Sequence, residues 1–377
     1  MGDGQGRVNL EVILEALRRG YSITLIASDI DESLRSNPAV TWFAVDVDSV
    51  PSELLRNQVF AWKSSRILKR IRNHVDLVLV NGAITYADSD INAVHMVHSA
   101  WLASPYHSSR GHYDPGALYQ LLYTFVNARW ERRAFRKTRA LVAVSGLLGE
   151  QIISLGIPED KVRIIPNGVD VTEFHPGQDA APQSIPEDIP EDRVVCLFAG
   201  DIKRSLKNLD SVLEALREHE SALLLVAGDT TGSHYPELAR RLGVSDRVRF
   251  LGYRRDLPDL MRRSDIFVFP SRYESFSLVL LEAMASAIPV VTASTVGAAS
   301  LVSESAGIVL EDPDDVASLS RAMGTLIASP ELRESMGRAG REIASACTFA
   351  RMAEDYVDLI EKMCVAGEPA MKSSSGS

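Results

Sequence analysis

Short apolar runs, each closed by glycine, proline or a polar turn and followed by a helical pattern, recur along the whole chain. Residues 21–27, 40–45, 77–80, 94–101 and 140–145 read as strands in the first half. In the second half 194–199, 222–227, 248–253, 265–269, 288–292 and 307–310 do the same. Runs this short and this evenly apolar suit strands buried on both faces, and alternation with helices calls for parallel pairing through crossovers. The chain is therefore α/β. Residues 176–193 are rich in Pro, Asp and Glu with little apolar content, and read as a linker. They separate a domain over 1–175 from one over 194–348. An amphipathic helix over 349–365 and a Ser/Gly-rich tail over 366–377, expected to be disordered, complete the plan.

With 377 residues, 46% hydrophobic and 24% charged, the chain is long enough for two cores. Its formal net charge of −10 argues against nucleic-acid binding, which draws most of its affinity from a basic surface. Cys196, Cys347 and Cys364 have no metal-ligand spacing, and an odd count suits a reducing cytoplasm. No stretch of about 18 apolar residues is present, and the polar, Gly-rich start is unlike a signal peptide. Asp29/Asp31, Asp46/Asp48 and Asp88/Asp90 form D-x-D triplets, but in so acidic a chain they read as strand-end turns rather than a divalent-ion site. The opening, with glycines at 2, 4 and 6, reads as a loop before a helix over 7–19 carrying Val8, Val12, Leu14 and Leu17.

Residues 270–284 concentrate the chemistry. The strand 265–269 stops at Pro270, a polar turn carries Glu274, and a helical pattern from Ser277 carries Glu282, giving E-x7-E. At the carboxyl ends of parallel strands, helix starts offer unpaired N–H groups to anions, and both acids could flank one such ligand. A second strand–turn–helix unit has Gly200 followed by Lys203, Arg204 and Lys207, a glycine and three cations suited to a diphosphate. Arg254, after the strand 248–253, could stack on a base, and His98, at the end of 94–101, could donate to a sugar hydroxyl or phosphate. Residues 104–115, with His107, Arg110 and His112, read as a mobile loop. Arg129, Arg132, Arg133, Arg136, Lys137 and Arg139 cluster at the end of a helical stretch over 118–139. They suit the helix dipole, or a docking face for anionic lipid.

The run from Phe267 to Ala283 resembles the signature of retaining family-4 glycosyltransferases of the GT-B fold, roughly PS-x-x-E-G-F-G-x-x-x-x-E-A-M-A. Ser275 and Ser277 stand where that family usually has glycine, and Leu301 where an acid usually follows Val296-Gly297. Ile165-Pro-Asn-Gly-Val-Asp170 is similar to the family's closing motif of the first domain. The resemblance implies two Rossmann-like parallel-sheet domains facing a cleft, with the last helix crossing back onto the first. A strand normally precedes the opening glycines, and here that first strand is missing.

For function, the resemblance implies transfer of a sugar from a nucleotide-diphosphate donor, UDP- or GDP-linked, to a glycan, lipid-linked or small acceptor. It implies retention of configuration, no metal and no further cofactor. Lys207 and Arg204 would hold the diphosphate with Gly200 and the backbone at Ser275, Phe276, Ser277 and Leu278. Glu282 would take the ribose hydroxyls, Glu274 the donor sugar and Arg254 the base. His98 would serve the acceptor side, with Gly4 and Gly6 near donor and acceptor. A sugar-nucleotide 2-epimerase of the same fold, or a degenerate module that binds without turnover, are the alternatives. The expected place is the cytoplasm, at the inner face of a membrane if helix 118–139 docks there.

Overall fold

The computed structural model describes residues 4–111, 113–177 and 192–367, so Gly2, His112, most of the linker and the tail from 368 lie outside it. The chain forms two compact units. The first comprises Met1–Val144, Leu148–Ile165 and Ala350–Ser377, and the second Ser145–Leu147 and Pro166–Phe349. The residues from Pro166 to Phe174, expected in the first domain, thus belong to the second.

In the first unit, strands β1 (Ile23–Ala27) and β2 (Val40–Ala44) pair in parallel, Ile23 opposite Val40. Strands β3 (Leu79–Asn81), β4 (Ile91–Val94), β5 (Ala140–Ala143) and β6 (Val162–Ile164) form a separate four-stranded parallel sheet in that order. β4 and β5 are buried throughout, with Asn92 of β4 accepting from the Gly82 N–H at 2.8 Å and donating to its carbonyl at 3.0 Å, whereas every residue of β1 keeps some exposure. The helix Gly4–Arg18 buries Val8, Val12 and Ala16, one face at four-residue spacing, and Gly20 leaves it at φ +87°. Arg19 ties that helix end to Asp358 at 2.7 Å and Glu361 at 3.1 Å on the helix Phe349–Gly367. Hydrogen bonds from Arg18 and Arg19 hold the Glu15 carboxyl down at about 2.

Two expectations fail here. Gly4 and Gly6 lie inside the first helix rather than in a loop, because the first helical turn has no internal N–H partners to lose and tolerates glycine. The run 94–101 is not one strand: β4 ends at Val94, and His98 opens the short helix His98–Ala103. The buried carboxylate of Glu131 starts that helix, accepting from the backbone N–H of His98 at 2.7 Å and of Ser99 at 2.6 Å.

The second unit is a six-stranded, wholly parallel sheet. Its strands are β7 (Val194–Ala199), β8 (Ala222–Ala227), β9 (Val248–Gly252), β10 (Ile266–Phe269), β11 (Val290–Ala293) and β12 (Gly307–Leu310). They are ordered β12-β11-β10-β7-β8-β9. Numbered from its own first strand this is the doubly wound 3-2-1-4-5-6 arrangement, which reverses direction between β7 and β10. Cys196, Leu197, Phe198, Leu224, Leu225, Ile266 and Phe267 fill its centre. Burial pushes the Cys196 thiol up to about 12, leaving it an inert apolar group. After β12 comes the helix Val316–Ala328, and a second helix, Pro330–Ala346, follows directly. Ser329 caps this second helix by accepting from the Leu332 N–H, and Pro330 occupies its first position.

Candidate functional site

The loops after β7 and β10, the two strands where the order reverses, build the site. After β7 the chain passes Gly200 and a turn of 3-10 helix, Ser205–Lys207. Asn208 then takes a left-handed conformation, φ +64°, and its side-chain amide donates to the carbonyls of Pro270 at 3.1 Å and Pro313 at 2.6 Å. One buried residue therefore locks the loops after β7, β10 and β12 together. The lock aims Lys207, whose ammonium pairs with the Glu274 carboxylate and lies 5.6 Å from the Phe269 ring centre. The two side chains are 21% and 23% exposed, so the pair is half-sheltered yet open on one side. A side chain at Gly200 would sit 3.4 Å from the Phe269 ring and 3.5 Å from Lys207, and one at Gly228 only 2.4 Å from the Gly200 carbonyl. The first is ordinary van der Waals contact, whereas the second strand end needs the bare backbone of Gly228 to come this close.

The loop carrying Glu274 is fixed at several points. Glu274 bridges to Val296, its N–H donating to the Thr295 carbonyl at 3.1 Å and its carbonyl accepting from Gly297 at 2.9 Å. Ala298 donates to the Phe276 carbonyl at 2.7 Å. A side-chain carbon at Gly297 would lie 2.0 Å from the Ser275 carbonyl, so glycine is obligatory there. Arg272 pairs with Asp210 at 2.6 Å and with Asp314 at 2.7 Å. Burial alone would lower its pKa, but the two carboxylates outweigh that and raise it.

Ser277 is the unusual residue. It stands at φ +88°, a backbone region that glycine enters freely and serine does not, and it is 7% exposed with its hydroxyl buried and unpaired. Ser275, the other serine in a glycine position, has an ordinary negative φ, since it is not among the positive-φ residues described. From Ser277 the helix Leu278–Ala285 begins, with Phe276 buried beside it, Leu278 and Glu282 half-buried. The unpaired N–H groups of that helix start, Lys207 and Glu274 thus belong to neighbouring loops at the same sheet end.

Other candidates fall elsewhere. Arg204 is exposed. Arg254 is engaged by Asp256 at 2.8 Å. Lys203 pairs with Asp229 at 2.6 Å and holds that carboxyl at about 2. In the first unit His98 directs Nδ1 at Glu131, 3.0 Å away. A carboxylate only accepts, so Nδ1 carries a proton, and in the neutral ring Nε2 is the acceptor. His107, read from sequence as part of a mobile loop, is 2% exposed, held by Ser109 at 2.8 Å and Thr124 at 2.9 Å. The D-x-D acids are structural: Asp29 pairs with Arg35 at 2.5 Å, Asp88 with Lys137 at 2.6 Å, and buried Asp90 accepts from the Val78 N–H at 2.9 Å. Arg272, Asn208 and Glu131 were not singled out from sequence. An Asn just before a helical pattern is the one sequence signal for any of them, and it is a weak one.

Two family models cover most of the chain: Glycosyltransferase Family 4 matches residues 2–173 and Glycosyl transferases group 1 matches residues 181–343. The chain belongs to this glycosyltransferase family, and its fold is GT-B. The D-inositol 3-phosphate glycosyltransferase of Salinispora tropica is 34% identical over 220 residues, covering 53% of this chain and 45% of that protein. The matched stretch thus spans about half the length of this curated relative. Among solved structures, the sucrose-phosphate synthase from Thermosynechococcus elongatus superposes with a TM-score of 0.74 at 19% identity, covering 94% of this chain and 92% of that one. Anabaena HepE, solved in complex with UDP-glucose, gives a TM-score of 0.62 at 17% identity over 96% of this chain and 97% of that one.

Proposed function

We propose that the second unit binds a nucleotide-diphosphate sugar and that the protein transfers the sugar to an acceptor with retention of configuration, without a metal. The carrying observation is the half-sheltered Lys207–Glu274 pair where the strand order reverses, beside the start of helix Leu278–Ala285. Lys207 exchanges Glu274 for the diphosphate, and Glu274, released, accepts from hydroxyls of the donor sugar. N–H groups from Ser275 to Leu278 take further phosphate oxygens and Glu282 takes the ribose hydroxyls. Negative charge grows on the diphosphate as its bond to the anomeric carbon breaks, so a fixed cation there favours the transition state over the ground state. Exposed Arg204 swings in as a second cation. Arg254 is a weaker candidate for the base, since Asp256 already occupies it.

UDP is the first donor nucleotide to test, because HepE was solved with UDP-glucose. A phosphorylated polyol is the first acceptor to test, from the name of the Salinispora relative. On the acceptor side His98, whose Nδ1 is held by Glu131, offers Nε2 of its neutral ring to an acceptor hydroxyl. The helix Pro115–Lys137 exposes Leu118, Leu121, Leu122 and Phe125, followed along the same face by Arg129, Arg132, Arg133 and Arg136. That face supports contact with an anionic lipid surface, checked by co-sedimentation with phosphatidylglycerol vesicles against phosphatidylcholine alone. No helix among the described residues is long and apolar enough to cross a membrane.

Incubation with UDP-, GDP- and ADP-sugars tests the reaction. Nucleotide release that requires acceptor supports transfer, whereas release without acceptor points to an epimerase. Lys207→Ala and Glu282→Ala are each expected to cut turnover at least about tenfold, roughly 1.4 kcal/mol of barrier. Unchanged turnover in both variants rejects this layout.

A further inference from the structure

The helix Leu278–Ala285 begins without a cap. A serine ahead of a helix ordinarily accepts from an N–H of its first turn, as Ser52 and Ser329 do from Leu55 and Leu332. Those two have the extended backbone that capping needs. Ser277 holds the same position before Leu278, but at φ +88° and ψ +91° its side chain accepts from no N–H of the helix. The residue is 7% exposed, and its Oγ is buried with no hydrogen-bond partner among the described residues. A buried hydroxyl left unsatisfied is destabilising, and it persists where something other than the fold uses it. The backbone just before it is aimed as well. The carbonyls of Glu274, Ser275 and Phe276 accept in turn from the Gly297 N–H at 2.9 Å, the Ser145 hydroxyl at 2.7 Å and the Ala298 N–H at 2.7 Å. Across a trans peptide the next residue's N–H points opposite to the carbonyl. The N–H groups of Ser275, Phe276 and Ser277 are therefore turned away from Gly297, and no backbone carbonyl among the described residues accepts from them. Successive N–H groups turned one way form a concave donor set suited to an anion, and the Ser277 hydroxyl stands at its end.

Taking the proposed diphosphate donor as the occupant of this sheet end, we propose that the Ser277 hydroxyl is itself a ligand group, donating its proton to a diphosphate oxygen. It does so beside the N–H groups already assigned to the phosphates. The hydroxyl reaches the phosphate by turning about the single Cα–Cβ bond, and with no partner to release it gives up no hydrogen bond in turning. A hydroxyl bonded to a charged phosphate is charge-assisted and stronger than the neutral bond of an ordinary cap. The strained backbone has a place in the same arrangement. With extended φ and ψ the hydroxyl would cap the helix, as Ser52 and Ser329 do, and would compete with the ligand for the first-turn N–H groups. At φ +88° those N–H groups and the hydroxyl all stay available. Glycine here would offer the phosphate an N–H alone, whereas serine offers an N–H and an O–H from one residue.

The test titrates UDP and inorganic pyrophosphate calorimetrically into the wild type, Ser277→Ala and Ser277→Gly. Alanine removes the hydroxyl and keeps a side chain at the strained φ, whereas glycine removes both. Each variant is expected to bind both probes at least about tenfold more weakly, while its urea midpoint without ligand is no lower than that of the wild type. A residue that only held the fold would lose midpoint and affinity together. If Ser277→Ala fails to fold, Ser277→Gly decides alone. Equal affinity in wild type and variant overturns the proposal. So does a loss confined to UDP, which would put the hydroxyl against the nucleoside, and so does a lowered midpoint in Ser277→Gly, which would give the hydroxyl a partner inside the protein. Lys207→Ala tells the two proposals apart. Weaker binding there, with none at Ser277, removes the hydroxyl from the site and leaves the donor site standing. Unchanged binding in Lys207→Ala, or no binding of UDP and pyrophosphate by the wild type, rejects the donor site and the role of Ser277 with it.

Discussion

Ser277 is where the local rules and the site disagree. Its φ of +88° with an unpaired, buried hydroxyl combines backbone strain with an unsatisfied group, both of which persist only where the surroundings impose them. Ser277→Gly removes both and adds only glycine's extra unfolded-state entropy, so it is expected to stabilise the protein by about 1 kcal/mol, read as a higher urea midpoint at constant slope. A lower midpoint would show that serine makes a compensating contact. His107 gives a pH signature of the opposite kind. Burial, aided by Arg110, lowers its pKa below the ordinary 6.5, so the unfolded chain binds the proton more readily than the folded one. Stability contributed here is present above about 6.5 and falls as pH drops through that value towards the folded pKa. His107→Gln is expected to flatten urea midpoints between about pH 7 and 5, and an unaltered slope would exclude His107 as the source. Neither property was legible in the sequence. The serine departures from a glycine pattern could be seen, but only backbone angles distinguish strained Ser277 from relaxed Ser275. His107 sat in a stretch with no periodicity to say it turns inward.

Elements were legible in proportion to the regularity of their burial. β5, β7, β8 and β10 read clearly because both faces are covered and the apolar run is unbroken, and β11 did so with a single buried threonine. β4 did not, since Asn92 interrupts its apolar run and the strand was expected over 94–101 instead. His98–Ala103 did not, since six residues show no helical period and the acid that starts it is 33 positions away. Pro330–Ala346 was missed because its break from the preceding helix is a single residue, Ser329. The loop after β10 could be located by its two acids, but not the contacts that hold it. Arg272→Ala is expected to remove the cation that Asp210 and Asp314 share and cost about 2 kcal/mol or more, measured by chemical denaturation. Gly297→Ala is expected to be worse for activity than for stability. The added carbon must push Ser275 away from a 2.0 Å contact, and the loop that moves carries Glu274. A variant with normal Kd for nucleotide would contradict that link.

For the whole molecule, sequence patterning identified two parallel α/β units and, through its motifs, the sheet end where the candidate site lies. That the strands of the first unit pair as two separate sheets, one of two strands and one of four, appeared only from strand pairing. Long-range pairing is what periodicity does not encode, and for the same reason Lys207 and Glu274, 67 positions apart, could be linked only through a family resemblance. The central claim is that a diphosphate replaces Glu274 as the partner of Lys207. Calorimetric titration of the intact chain with UDP and GDP, beside Lys207→Ala, tests it most directly. At a nucleotide concentration of 100 times Kd the wild type should gain about 2.7 kcal/mol of stability, and Lys207→Ala should bind at least about tenfold more weakly. Equal affinity in the two proteins, or no affinity for either nucleotide in the wild type, would contradict the account.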